Sequence, residues 1–440
     1  MTDLHPEPPL AAVVQLGHAA VQRVAELSGT DLLHIKGYAI DPTLTEEGRI
    51  GTDVDVLVRP AQVRDFLHAL VAAGWTRVIG FRAGSSFGHA ATLHHTCWGY
   101  VDVHRMFPGI GVDPGEAFEL LWSGRRTADI GGIACLVPDT VAQTVILVLN
   151  AGRTATAGAI APDVLTSWGR ADGAQRAAVE ALVRRLGAQL AFAAGTGHLE
   201  EFHAQREYAL WRVMSEGGTR LEEWRARIVA APTWRDRLHL ILIAPLVNVE
   251  HLAVLLGRRP TRREIALEFF RRPVRGVHEQ LLAPARHRGA TATVPTDAVR
   301  GATGPEGIGA DLTDADGIGA DRTTTTGSAQ PDRPGAVPAS PQREQRAAEE
   351  TGSGAGGYRL PVGVGAVDVD GVIYVAPVPE GPIRILTGSA AEIWVAVFTG
   401  TPDSVVERVA LTFEAELIDI RSAVEGFVSG LLADGLVARR

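Results

Sequence analysis

The sequence predicts an α+β protein: a mixed sheet extended by helices, then a flexible linker, then a small βββααα unit. Three observations predict it. Residues 10–137 interleave strand-like apolar runs with helical spacing, residues 138–283 show helical spacing alone, and residues 284–357 have the composition of a linker. At 440 residues the chain exceeds the usual size of one core, so two or three domains are expected.

The elements follow in order. Leu10 to Leu27 carries apolar residues at helical spacing and stops at Ser28-Gly29. A strand is expected at Leu32 to Ile35, a turn-rich stretch through Pro42 and Gly48, and a strand around Val54 to Val58. A helix over Ala61 to Ala73 is ended by Gly74, and strands follow at Thr76 to Ile79, Ala90 to His95 and Gly99 to His104. Past Pro138 helices are expected at Thr140 to Leu149, Ala174 to Phe192, Leu199 to Met214, Leu221 to Val229, Trp234 to Leu256 and Arg262 to Phe270. The α/β core (10–137) and the helical part (138–283) are expected to form one folding unit, 1–283.

From Pro284 to Gly357 the chain is rich in Gly, Ala, Thr, Pro and Asp and has no Phe, Trp or Tyr. Such a segment buries too little apolar surface to offset its ordering entropy, so a disordered linker is expected. Beyond it, 358–440 reads as short strands at Val362 to Val369, Val372 to Pro377 and Ile383 to Leu386, with Asp370-Gly371 as a hairpin turn. Helices marked by Ile393/Trp394/Val397, Val405/Val409/Phe413 and Ile420/Val424/Leu431 complete a winged-helix-like order.

Composition excludes several classes. A net charge of -9 leaves no basic excess to neutralise phosphates, against a general nucleic-acid binder. Cys97 and Cys135 form no disulfide framework or CxxC pair. Met1 to Pro9 is not a signal peptide, and Leu238 to Val249 is too short and too interrupted to span a bilayer. A cytoplasmic enzyme with no membrane partner is the expectation. His89, His94, His95 and His104 fit no closed zinc spacing, and Arg258, Arg259, Arg262 and Arg263 read as a solvated face.

The chemistry sits in the acids. Asp53 and Asp55 are two apart in an apolar strand and so share a face, and Asp102 and His104 do the same in Tyr100 to His104. Adjacent like charges need compensation, and a hard divalent cation is the usual source. Upstream, Gly37 allows close backbone approach to a phosphate, with Lys36 or Arg49 to meet its charge.

Ile35-Lys36-Gly37, Arg49 to Val58, Gly74-Trp75 and Val101 to His104 resemble the uncharacterised nucleotidyltransferase family of the polymerase-β-like superfamily. The resemblance covers about 10–280 and implies a nucleotidyltransferase-type mixed sheet. It implies that Asp53, Asp55 and Asp102 are the catalytic acids and hold Mg²⁺, two ions being expected, with NTP as co-substrate. The Lys36-Gly37 turn would seat the triphosphate, Thr52 keeps the hydroxyl before the first acid, and Arg49 and His104 are further candidates for phosphate contact.

Residues 358–440 resemble the PqqD family, the peptide-recognition module of modified-peptide biosynthesis, through Tyr374, Leu386-Thr387-Gly388, Ala390 to Trp394, Gly400-Thr401 and Gly435-Leu436-Val437. That resemblance implies a leader peptide of a ribosomal precursor added as a strand along Ile383, Arg384, Ile385 and Leu386, against Val424, Glu425 and Val428. Other peptide-modifying enzymes would be partners. A flexible linker of about 70 residues has a mean span near ~45 Å and gives roughly millimolar effective concentration. The expected activity is nucleotidyl transfer from NTP to a hydroxyl of such a peptide. The alternatives are a non-catalytic peptide-binding scaffold, or transfer to a small molecule or sugar phosphate.

Overall fold

Helix α1 (Leu10–Ser28) stops where Gly29 turns left-handed at φ 64°, its N–H returning to Ala25 and Glu26 carbonyls. In the computed structural model the described residues are 7–46, 51–81, 87–154, 159–244, 246–249, 252, 256, 258–271 and 357–440. The linker expectation, apart from Gly357, lies outside them, as does Arg49.

Behind α1 comes a five-stranded mixed sheet in the order β1-β2-β5-β4-β3. Its strands are β1 (Leu32–His34), β2 (Val54–Val58), β3 (Thr76–Ile79), β4 (Ala90–His95) and β5 (Gly99–His104), with helix α2 (Val63–Ala72) between β2 and β3. β2 and β5 are parallel, and the other pairs are antiparallel. The protein is therefore α+β.

Alternation along the strands separates two cores. Leu32, Val54, Val56, Val58, Val101 and Val103 join a cluster with α1 and α2. Leu33, Ile35 and Leu57 face the other way, into a cluster with Phe107, Phe118, Ile146, Leu149 and Phe192. That second cluster is built by helices α3 (Pro114–Ser123) and α4 (Thr140–Ala151) together with the helices beyond them. The β2–β5 ladder pairs Asp55 with Asp102, and Leu57 with His104. Paired residues share a face, so both acids and the histidine lie on the side of Leu57 and the helical layer.

Several helices are shorter than their apolar spacing suggests. The expected 174–192 helix divides into Gly173–Arg185 and Gln189–Thr196, because Gly187 adopts φ 61° between them. Only Tyr208–Glu216 of the 199–214 expectation is α-helical, after a 3₁₀ turn at Leu199–Phe202. Helix α3, and the hairpin of β6 (Arg126–Ile130) and β7 (Ile133–Val137), were not anticipated from spacing.

The C-terminal strands and helices occur in the expected order, but the compact units divide them. Unit one comprises Met1–Leu312 with Gly363–Ile385, and unit two Thr313–Val362 with Leu386–Arg440. In unit one, β9 (Val364–Val369) and β10 (Val372–Pro377) form a hairpin through Asp370 (φ 54°) and Gly371 (φ 77°). Val367, Tyr374, Ala376 and Val378 join the α1 cluster, and Ala366 N–H donates to Gly131 O at 2.9 Å. Trp98 Nε1 donates to Pro379 O at 2.9 Å. α1 is buried nearly all round because the sheet covers one side and the hairpin another. In unit two, β8 (Tyr358–Arg359) pairs with β12 (Ala438–Arg439). Helices Ser389–Phe398, Val405–Phe413 and Leu417–Ala433 pack through Trp394, Val397, Val409, Val428 and Leu431.

Candidate metal centre

Asp55 and Asp102 meet because β2 and β5 run parallel and in register at these two residues. Asp55 is 4% exposed and His104 1% exposed. Lys36 Nζ donates to Asp55 Oδ1 at 2.8 Å, and His104 Nε2 lies 2.7 Å from the same oxygen. Thr92, opposite Asp102 on β4, donates its hydroxyl to Asp102 Oδ1 at 2.6 Å. Asp53 precedes β2 and accepts from Thr52 Oγ1 at 3.2 Å.

Asp55, Asp102 and His104 each offer one ligand atom, all within 4.8 Å of one another, enough to hold a metal ion. Asp53, expected among the ligands, stands outside that trio but inside the same field. Burial, then Asp55 and Asp102, push its carboxyl up to about 8. Burial and Asp55 raise Asp102 too, partly offset by His104 and Thr92. Asp55 goes the other way: burial opposes ionisation, but Lys36 and His104 overcome it and hold the carboxyl well below its ordinary range. Burial opposes the Lys36 charge, and Asp55 reverses this to raise its pKa. A site that forces one carboxyl to keep its proton near neutrality is short of positive charge. Its oxygen donors suit a hard divalent cation.

The Lys36-Gly37 turn lies alongside. Gly37 has φ 58° and begins a 3₁₀ turn over Gly37–Ala39. A Cβ on Gly51 would stand 3.2 Å from Gly37 Cα, so the two glycines let both backbones pass beside Asp53.

Four features escaped the sequence reading. Thr92 was one polar residue in a strand, with no signal of its partner. Arg153, just after α4, places Nη1 3.1 Å from His89 Nε2 and donates from Nη2 to Asn150 Oδ1 at 2.8 Å. His89 is fully buried, its ring 5.0 Å from that of His104. Beneath β1, His18 Nδ1 meets His34 Nδ1 at 2.8 Å, and His34 Nε2 meets Gln22 Oε1 at 3.3 Å. His18 and Gln22, four apart within an apolar helix, were the readable sign of a buried polar contact.

The tautomers of that relay follow from its ends. Leu136 N–H donates to Gln22 Oε1, which fixes that atom as an acceptor, so His34 carries its proton on Nε2. Burial, then His18, keeps His34 neutral, so its Nδ1 accepts from His18 Nδ1–H. Burial lowers His18 to about 4, with Asp55 partly offsetting it, leaving Nε2 as an unprotonated acceptor without a partner among the described residues.

The residues expected to take a peptide divide between the units. Ile383 and Ile385 pack against the α1 cluster of unit one, and Arg384 is exposed on β11 (Arg384–Leu386). Leu386, Val424 and Val428 are buried in unit two, and exposed Glu425 accepts from Arg421 at 3.4 Å.

No protein-family model matches the chain, and no curated protein matches it. Among the described residues, no helix is long and apolar enough to cross a membrane.

Proposed function

We propose that this chain is a Mg²⁺-dependent nucleotidyltransferase that moves a nucleotidyl group from NTP to a hydroxyl of a ribosomally made peptide in the cytoplasm. The observation that carries the reading is the pairing of Asp55 with Asp102 across parallel strands, with Asp53 beside them and the Lys36-Gly37 turn adjacent. The resemblance of these segments to the polymerase-β-like nucleotidyltransferases supports it, and that of 358–440 to PqqD supports the peptide as acceptor.

Asp53, Asp55 and Asp102 would hold the metal, with His104 and Lys36 keeping Asp55 ionised. Bound divalent ions would supply charge neutralisation for the triphosphate and the leaving pyrophosphate. Asp102 would also help to take the proton of the acceptor hydroxyl. Gly37 would admit the phosphates to the backbone, and Lys36 would meet their charge.

Isothermal titration of ATP and other NTPs, with and without Mg²⁺, tests the reading. Binding should require the metal and disappear in Asp53→Ala/Asp55→Ala. Binding indifferent to both would sink it. Deleting 358–440 cuts through unit one, so leader recognition is better tested by pyrophosphate release on precursor peptides with and without their leaders.

A further inference from the structure

The Lys36-Gly37 turn and Asp53 lie at the start of β2. At the other end of that strand the chain does something different. β2 passes through a 3₁₀ turn, Pro60–Gln62, into α2, while the neighbouring parallel strand β5 runs on through Arg105 toward α3. Chains that diverge past the carboxyl ends of parallel strands leave a crevice between them. A cavity of about 480 Å³ occupies this one, within the usual range for small-molecule sites. Arg105 stands three residues beyond Asp102, roughly 10 Å along the strand direction, so the cavity is separate from the acids.

The walls are apolar. Val63 and Leu67, one turn apart on α2, face it together, with Phe81 from beyond β3 and Met106 from beyond β5. Val63 is buried and the other three are half-buried. The only charged residues among the lining are two arginines, Arg64 and Arg105. Arg64 is exposed at the rim and donates from Nε to Asp65 Oδ1 at 3.3 Å. Arg105 is held in place: Nε donates to Gly88 O at 3.0 Å, and the guanidinium carbon stands 4.8 Å over the Phe81 ring centre. Among the described residues it forms no ion pair. Stacking fixes the plane of the guanidinium and the Nε bond fixes its rotation, which leaves the two Nη groups as an oriented pair of donors.

We propose that this cavity binds a small apolar carboxylate, an aromatic or branched aliphatic acid. Its two oxygens take the parallel N–H bonds of the Arg105 Nη pair, and its body lies against Val63, Leu67 and Met106. One fixed guanidinium matches one carboxylate in charge and in geometry, and apolar walls favour a ligand whose remainder is apolar. Met106 is a side chain that adapts to ligands of different shape. The acids of the metal centre play no part, so failure of the nucleotidyl-transfer reading leaves this site standing.

The test titrates the full chain with 3-phenylpropionate, 3-phenylpropionamide and phenyl phosphate, each with and without Mg²⁺. The carboxylate should bind, the amide should bind about tenfold more weakly or not at all, and Mg²⁺ should change neither result. In Arg105→Gln the Kd for the carboxylate should rise about ten- to hundredfold. Arg105→Lys keeps the charge without the paired donors and should fall between the two. Equal binding of acid and amide, no binding of either, or an unchanged Kd in Arg105→Gln overturns the assignment. Binding that appears only with Mg²⁺ places the acid at the metal centre and overturns it as well. Phenyl phosphate bound more tightly than the acid overturns the choice of a carboxylate.

Discussion

Asp55 stands directly across from Asp102 on parallel strands, and the two carboxyls are driven in opposite directions. Lys36 and His104 both reach Asp55 Oδ1 and keep it ionised, while burial and that neighbouring charge push Asp102 up. One ionised carboxylate held by Lys36, beside two carboxyls that resist ionisation, describes a centre in which an entering cation would let the other two ionise.

Removing one acid should therefore separate stability from binding. Asp102→Asn relieves repulsion in the metal-free protein and should raise its thermal midpoint, while Mn²⁺ affinity falls. Thr92→Val leaves the acid but frees its orientation, and should cost about 10–100-fold in Mn²⁺ affinity. Paired thermal melts and metal titrations read both effects.

Metal binding should release a proton. The Asp53 carboxyl is pushed up to about 8, so it is protonated at pH 7 without a cation and ionised with one. Affinity should therefore climb as pH rises toward 8 and then level off. Calorimetry of Mn²⁺ binding at pH 7 in buffers of different ionisation enthalpy counts the proton. In Asp53→Asn the release should shrink. Metal-free stability runs the other way: the contribution from protonated Asp53 is full below the ordinary carboxylate range and is lost as pH rises through about 8.

The buried histidine relay sets an acid limit. His18 is lowered from 6.5 to about 4, so the unfolded chain takes up a proton over this range before the folded one does. Stability is then full above pH 6.5 and is lost as pH falls toward 4, by about 3 kcal/mol from His18 alone. Urea unfolding at pH 7 and pH 5 should show this loss, and His18→Phe should flatten it while lowering stability at pH 7.

Two glycines carry distinct loads. Gly37 has φ 58°, so Gly37→Ala should cost about 1–2 kcal/mol and weaken ATP binding in the same variant. A Cβ on Gly365 would sit 2.9 Å from both Gly131 O and Leu16 Cδ2. Gly365→Ala should cost about 1–3 kcal/mol through overpacking and loosen the hairpin from α1. Hydrogen exchange at β9 and α1 would register the loosening, while ATP affinity would not.

The local pieces were legible in short stretches of sequence. Strand alternation marked Val54 to Val58 and Gly99 to His104, and apolar flanks singled out Asp55 and Asp102, because periodicity and composition are properties of short segments. The Asp370-Gly371 turn was legible for the same reason: two left-handed residues in a row leave few choices. Pairing was not legible. Whether β2 meets β5, and in which register, depends on contacts across more than forty residues of chain, and that register alone places Asp102 beside Asp55. Thr92, Arg153 and the relay from Gln22 to His18 likewise join distant segments, so no local pattern announces them. The hairpin Gly363–Ile385 is the largest such case. Its own sequence reads as part of the C-terminal βββααα module, yet its apolar face completes the core around α1. Burial is decided by which surfaces find each other, and that is a property of the folded chain and not of any short segment.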